Sequence, residues 1–423
     1  MNIQFYFNKN KHILLISLYT LFQLICLFIF DYTPYPDSNG YISLAKECVE
    51  YNTFYPRNLK DIYFLWNIGA INAVVISLKL FNSILPLLIS YSIIQGLEAY
   101  LIFKIAQKLF NHKIAFITLC LFILYPANYG TGTSVLSETP FIFFSLLGVH
   151  QSLKHNYITS GICFAIANYF RPMVIIYIAA ILIYFIIKKL KLLNYFKLAV
   201  GFYIITICIG LINVQYKGKY FTQGAMGWMG LMQYSWDHDS NNKEDFILFE
   251  DKDPNNINNK FYDCLQRDSV WRSHFIKWLS QNKMEYIKQM PEKLIRTYIS
   301  DNVNLCTFIN DKNNRTYIYE EINMTAIINK FPYYNKVQTL VFINLIFYYF
   351  LLFSGLSGFF LSIKHKQYIK IVIPSTTIII GTAILLIAGH GEARFHQPFI
   401  PMFIILSAYF LSTLTFKKQH KLS

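Results

Sequence analysis

Charge is what this chain lacks most. Charged residues make up 14% of its 423 positions, where ordinary soluble domains carry roughly 25%. So few charges cannot cover a surface that faces water, which excludes an ordinary cytosolic enzyme, and the same poverty of charge excludes intrinsic disorder. No internal repeat or low-complexity tract is present, which argues against a fibre or a solenoid. No glycine-rich loop of the Walker or Rossmann kind appears, so neither phosphate cradle is available. The seven cysteines form no CxxC pair and no zinc-ligand spacing. Cys26, Cys120, Cys163 and Cys208 lie inside apolar runs as small hydrophobes, and Cys48, Cys264 and Cys306, in polar segments, allow at most one disulfide among them.

What is present is apolar and aromatic: hydrophobic residues reach 54% and aromatics 18%, nearly all of them Phe and Tyr. The bilayer is the implied solvent. A net charge of +15 would suit nucleic acid if it were clustered for phosphates, but the lysines sit in short knots between apolar runs, as cytoplasmic loops do. They report topology, and no nucleic-acid partner is expected. The first apolar run, 13–30, follows Lys9 and Lys11 without a small-residue cleavage site and reads as a retained span.

At about 20 apolar residues per crossing, spans are expected near 13–30, 85–103, 114–130, 137–153, 157–170, 172–187, 196–214, 337–362, 371–388 and 397–415. This predicts an all-α polytopic membrane protein of about ten transmembrane helices. With both termini cytoplasmic, the inner loops collect Lys104, Lys108 and Lys113, then Lys188, Lys189, Lys191 and Lys197, then Lys364, Lys366 and Lys370, with no acidic residue. The stretch 62–80 would invert every later loop if it crossed, so it is expected as a juxtamembrane helix in the outer interface. The predicted organisation is an N-terminal module, 1–214, with seven spans and an outer loop 31–84; a mainly helical outer-side soluble segment, 215–335; and a C-terminal module, 336–423, with three spans. The place expected for it is the plasma (inner) membrane, multi-pass. In the soluble segment, Trp271, Phe275, Trp278, Leu279, Met284, Ile287, Leu294 and Ile295 have helical spacing, which predicts an amphipathic helix pair against the membrane or the first loop.

An ionisable group at or inside a span is a functional candidate, since burying it costs at least roughly 2.5 kcal/mol. Asp37, Glu138, Arg171, Glu392, Arg394 and His396 all fall near the outer ends of the expected spans. Asp37 suits a general base or an N-cap for a helix over 40–47. Glu138 suits either catalysis or the positive end of a helix dipole, with Ser137 or Thr133 available to cap that turn. Arg171 either snorkels to headgroups or offers its fork to phosphate. The turn GHGEARFHQPFIP gathers His390, Glu392, Arg394 and His396, as a solvated cap, a phosphate site around Arg394, or a metal site completed from elsewhere. Glu98 is the exception, an acid inside the second span. Asn314 and Asn323 stand in N-x-S/T patterns.

Taken in order, these residues resemble a family. Asp37, Tyr41 and Ala45 at helical spacing, GTSVLSETPFIFF opening a span, GICFAIANYFRP closing one, FIKWLSQNKMEYIKQMPEKLIRTYI, and GEARFHQPFIP together are similar to the family 39 glycosyltransferases. These are GT-C membrane enzymes related to protein O-mannosyltransferases and to the aminoarabinose transferases that modify lipid A. Two features depart from the family pattern: Ser38 follows Asp37 where a second acid is common, and YPRNL stands where many members have Pro-Pro. The resemblance implies inverting sugar transfer from a polyprenyl-phosphate donor to an acceptor hydroxyl of a glycan, lipid or protein on the outer face. It implies Asp37 as catalytic base, Glu138 as a second acidic group holding the acceptor or a divalent cation, and Arg171 and Arg394 on the donor phosphate. His396 and Tyr41 are expected beside the substrate. The alternative is a polytopic transporter or flippase for lipid-linked saccharides, which would place charges near mid-membrane.

Overall fold

A computed structural model describes residues 11–30, 36–60, 62, 65–224, 227–231, 263–302, 304–305, 324–330, 332–389 and 391–419. Among the described residues the chain forms helices and no strand. They are α1 (Lys11–Ile29), α2 (Pro36–Glu50), α3 (Ile68–Phe81), α4 (Leu85–Leu109), α5 (His112–Leu124), the single turn α6 (Asn128–Thr131), α7 (Glu138–Leu153), α8 (Tyr157–Phe170), α9 (Ile175–Ile187) and α10 (Leu192–Lys217). After them come α11 (Cys264–Gln281), α12 (Lys283–Tyr298), α13 (Met324–Lys330), α14 (Lys336–Lys364), α15 (Tyr368–Ala388), and a 3-10 helix (Ala393–Phe399) that runs into α16 (Ile400–Gln419).

Six of these units are long and apolar enough to cross a bilayer: α1, α4, α10, α14, α15, and the 3-10 helix with α16. The chain is a multi-pass membrane protein. The other four expected spans are the shorter helices α5, α7, α8 and α9, which at 1.5 Å per residue reach about 20–24 Å against a hydrocarbon core of about 30 Å. Proline sets two of their ends. Tyr125 before Pro126 and Arg171 before Pro172 both have extended backbone, because the ring of the proline disfavours the helical conformation in the residue before it.

The main apolar core draws on both sequence halves, with Phe103, Phe122, Phe141, Phe164 and Phe185 from one and Tyr348, Met402 and Ile404 from the other. The two modules therefore share one interior, α5 packing on α16 and α9 on α15. Where α8 crosses α10, a methyl at Gly161 would meet the Leu198 carbonyl and one at Gly201 the Ile158 carbonyl, both at 2.1 Å. Only hydrogen fits at either position, so the two backbones touch. Outward, α10 exposes Leu193, Phe196, Ile204, Ile207 and Leu211, and α14 exposes Ile343, Ile346, Phe353 and Phe360. Apolar stripes of this extent belong against lipid.

The stretch 62–80 yields the short helix α3, which packs on α2 and α4. The expected pair in the later segment forms as α11 and α12, the first on the first loop as expected and the second on helices of the C-terminal module. α11 starts from a capping box of Asp263 and Gln266 and lies on the first loop, with Cys264 N–H bonded to the Leu59 carbonyl and Arg267 to the Ile62 and Lys60 carbonyls. α12 packs on the end of α15 and on the 3-10 helix. Its polarity is reversed from the soluble pattern: Gln289, Lys293 and Thr297 are buried while Met284, Ile287, Leu294 and Ile295 are exposed. Cys48 and Cys264 are buried in one apolar cluster and both are free thiols, which burial pushes up to about 11 and about 12. Cys306, Asn314 and Asn323 lie outside the described residues.

Candidate active site

Four segments distant in sequence meet at one end of the bundle. α2 contributes Asp37 from its first turn, since the helix begins at Pro36 and not at the expected Gly40. One face of α2 carries Tyr41, Ala45 and Cys48 into the interior, which leaves the start of the helix to face the site. α7 contributes Glu138 as its first residue, where the exposed amides of a helix start favour an anion. The break after α8 contributes Arg171. The turn before the 3-10 helix contributes Glu392, and its first turn Arg394.

Gly391 makes the last placement possible. Its φ of +76° lies in the left-handed region, which glycine adopts without the Cβ penalty. A Cβ there would come within 3.0 Å of the Lys293 Cα, so the turn runs directly over α12.

The side chains form one ion-paired cluster. Arg394 Nη2 donates to Asp37 Oδ2 at 2.7 Å, and its Nε lies 3.1 Å from Glu138 Oε1 and 3.6 Å from Glu392 Oε1. Arg171 Nη1 reaches the same Glu138 oxygen at 2.6 Å. The Arg171 guanidinium also lies over the Phe395 ring at 5.1 Å and bonds Met173 sulfur. It is buried in protein and does not snorkel. Glu138 is thus clamped between two arginines, its side chain 3% exposed, while Asp37 and Glu392 remain 24% and 33% exposed. Three carboxylates face two guanidiniums, so the cluster is one negative charge in excess with all groups ionised.

Neighbouring polar groups complete the wall. Ser137, expected as a cap, makes no cap bond: its hydroxyl donates to Glu138 Oε2 at 3.2 Å and accepts from Arg171 Nη1 at 3.4 Å and from Asn67 Nδ2 at 3.3 Å. Thr133 instead donates to the Gly130 carbonyl. Asn67 also donates to the Tyr41 hydroxyl at 2.9 Å. Tyr41, expected against substrate, is buried to 1% and meets the cluster through Asn67 and Ser137. His396 departs further from expectation. It is fully buried, and its ring nitrogens face the Thr297 carbonyl at 2.6 Å and Asp301 at 3.6 Å rather than the cluster. Asn67 was legible as a polar residue in an apolar run. Asp301 was hidden in a stretch already rich in Asp and Asn.

The Arg394 guanidinium occupies the space between Asp37 and Glu138, where a bridging ion would sit. Among the described residues no set of three or more His, Cys, Asp or Glu side chains is placed to hold a metal, and His390 lies outside them.

Between α3 and α10 runs a groove of about 520 Å³. It begins at Ile68, next to Asn67, and continues past Asn72 and Lys79 of α3 and Tyr169 to Ile209, Ile212 and Tyr216 of α10. It is mostly apolar, opens beside the lipid-facing α10, and has Lys79 and Lys217 at its edge. Comparison with protein-family models, with curated proteins and with solved structures finds no match.

Proposed function

We propose that the chain is an integral-membrane glycosyltransferase of the GT-C kind that moves a sugar from a polyprenyl phosphate to an acceptor hydroxyl, inverting the anomeric centre. The observation that supports the reading is the meeting of Asp37, Glu138, Arg171 and Arg394 in one ion-paired cluster whose Asp37 stays partly exposed. Its topology in this reading has about ten spans, the short helices being enclosed by the long ones, with lysine-rich loops and termini inside and the cluster at the outer face.

The chemistry follows from which groups are free to exchange. The donor phosphate, arriving as an anion, draws Arg394 and Arg171 toward its oxygens, where a planar fork binds best. Asp37, released from Arg394, then accepts the hydrogen bond of the acceptor hydroxyl. As the hydroxyl oxygen bonds to the anomeric carbon, its proton passes to Asp37, and the bond from that carbon to the phosphate oxygen breaks. The leaving polyprenyl phosphate keeps the electron pair, stabilised by the two guanidiniums. Glu138, clamped and closed, keeps the arginines in place. The groove beside Asn67 suits the hydrocarbon chain, its volume being in the range of ligand sites.

One observation favours the rival reading of a transporter: Glu98 is 2% exposed within α4. The cavity it lines is only about 20 Å³, room for a water or two and not for a saccharide. The test supplies a polyprenyl-phosphate sugar to the purified full chain in vesicles. Release of polyprenyl phosphate is expected, with a loss of at least about 100-fold in Asp37→Asn, the scale of a lost general base. Undiminished release in that variant removes Asp37 from the mechanism, and movement of the intact donor without release favours the transporter.

A further inference from the structure

His396 and Asp301 face each other inside the molecule in an arrangement that ordinary protonation states do not satisfy. The Thr297 carbonyl can only accept, so the 2.6 Å contact fixes the hydrogen on His396 Nδ1. A neutral ring then presents a bare lone pair at Nε2. That atom lies 3.6 Å from Asp301 Oδ1, and neither atom has another hydrogen-bond partner. A bridging water, with two bonds of about 2.8 Å, would hold them well over 4 Å apart. Two facing acceptors at this range, at 0% and 1% side-chain exposure, are stable only with a proton between them.

We propose that one proton lies between His396 Nε2 and Asp301 Oδ1, held by one of the two and pairing them electrostatically across 3.6 Å, and that this pair is the positioning element that holds Arg394 over Asp37 and Glu138. The connections support that role. Asp301 Oδ2 accepts the Tyr125 hydroxyl at the end of α5, and its carbonyl accepts Asn344 Nδ2 of α14 at 2.7 Å. Asn344 in turn accepts the Ala127 amide at 3.0 Å. From α14, Tyr348 and Tyr349 donate to the carbonyls of Tyr298 and Ile299. The strap that follows α12 is therefore tied to the bundle from several sides. His396 ties it to the 3-10 helix, two residues beyond Arg394.

The groups that set the proton are few. Facing the imidazole are Tyr298 from α12, stacked on it, Tyr348 from α14, tilted against it, and Asp301. Tyr125 faces Asp301, Glu98 of α4 lines the small cavity that Asp301 also lines, and Glu392 and Arg394 lie on the same turn as the histidine.

The proposal does not rest on the transferase reading and is tested without turnover. Asp301→Asn keeps an acceptor for Tyr125 and supplies its own N–H to Nε2, so the pair is satisfied with no added proton. Thermal unfolding of the full chain in detergent, followed as pH is raised, is expected to favour the wild type in acid and Asp301→Asn in alkali. The gap should change by at least about 2 °C across the range. His396→Asn, which keeps a donor to Thr297 but lacks Nε2, is expected to be less stable than wild type in acid and to lose the same pH dependence. Parallel curves for wild type and Asp301→Asn overturn the proposal. So does an unchanged pH dependence in His396→Asn. Neither result bears on release of polyprenyl phosphate.

Discussion

Two buried polar clusters hang from one short 3-10 helix and differ in kind. Around Arg394, formal charges meet in unequal number, and two of the carboxylates, Asp37 and Glu392, keep a quarter to a third of their side chains open. Around His396, two residues on, the groups are closed from solvent and bonded mainly to backbone carbonyls and to one another. Open ion pairs can trade partners when an anion arrives, whereas closed bonds to backbone fix a chain in place. The first arrangement suits exchange and the second suits holding. Their adjacency means that whatever fixes the second also aims the first.

The largest effect that would sharpen this contrast is expected from Glu138→Gln. Glu138 is bonded to both Arg171 and Arg394 in a closed setting, and removing one member of a buried ion pair leaves uncompensated charge at a cost of about 3–5 kcal/mol. Denaturant or thermal unfolding of the full chain in detergent should show that loss, where Asp301→Asn at neutral pH shows little. Equal losses in the two variants would erase the distinction between the clusters.

Lys293 offers a buried charge that belongs to neither cluster. It is fully buried on the inward face of α12, and burial pushes its ammonium down from 10.5 to about 8. Below about pH 8 the folded state carries that charge at a penalty; between about 8 and 10.5 the unfolded chain binds more protons than the folded one, so stability rises with pH. Lys293→Met is therefore expected to be more stable at pH 7, by up to about 3 kcal/mol, and the gap should narrow steadily as pH approaches 10.5. Paired unfolding curves of the two proteins over that range check it. A constant gap would mean that Lys293 holds its charge on easier terms than burial alone allows.

How much of this was legible in the sequence depended on contrast. Helix positions were readable because apolar runs stand out against lysine knots, and α8 was placed at 157–170 as found. The end at Tyr125 was less so, since a proline stops a helix while the apolar pattern runs on to 130. Glu138 and Arg171 were found for the same reason, each the one charge in its stretch, and Asp37 and Arg394 by their place near the outer ends of expected spans. Their pairing was not readable, because nothing local in 37 or 138 says which arginine will reach it. His396 was found but misplaced, since its partner Asp301 sits among many other acids and amides. What would cover the apolar stripe of α12 was left open between membrane and first loop, because helical spacing identifies an apolar stripe without saying whether protein or lipid will cover it.

The smallest expected effect on stability tests the joint between the open and closed clusters. Gly391 sits after α15 and before Glu392, at φ +76° and against the α12 backbone. Gly391→Ala forces an L side chain into the left-handed region, at a cost of roughly 1–2 kcal/mol, and places a methyl 3.0 Å from the Lys293 Cα and 3.2 Å from its carbonyl. Backbone on both sides cannot swing away as a side-chain tip would, so the turn must lift from α12. His396, bonded on its far side to Thr297 and Asp301, should stay, and the displacement then falls on the residues between, Glu392 and Arg394. The expected signature is a modest drop in unfolding midpoint with a disproportionate loss of donor binding, read as a rise in KM for the polyprenyl-phosphate sugar of roughly tenfold or more, the equivalent of one lost charge-assisted bond. A fall in stability with donor KM unchanged would show that Arg394 takes its position from Asp37 and Glu138 alone, and that the closed cluster does not aim the open one.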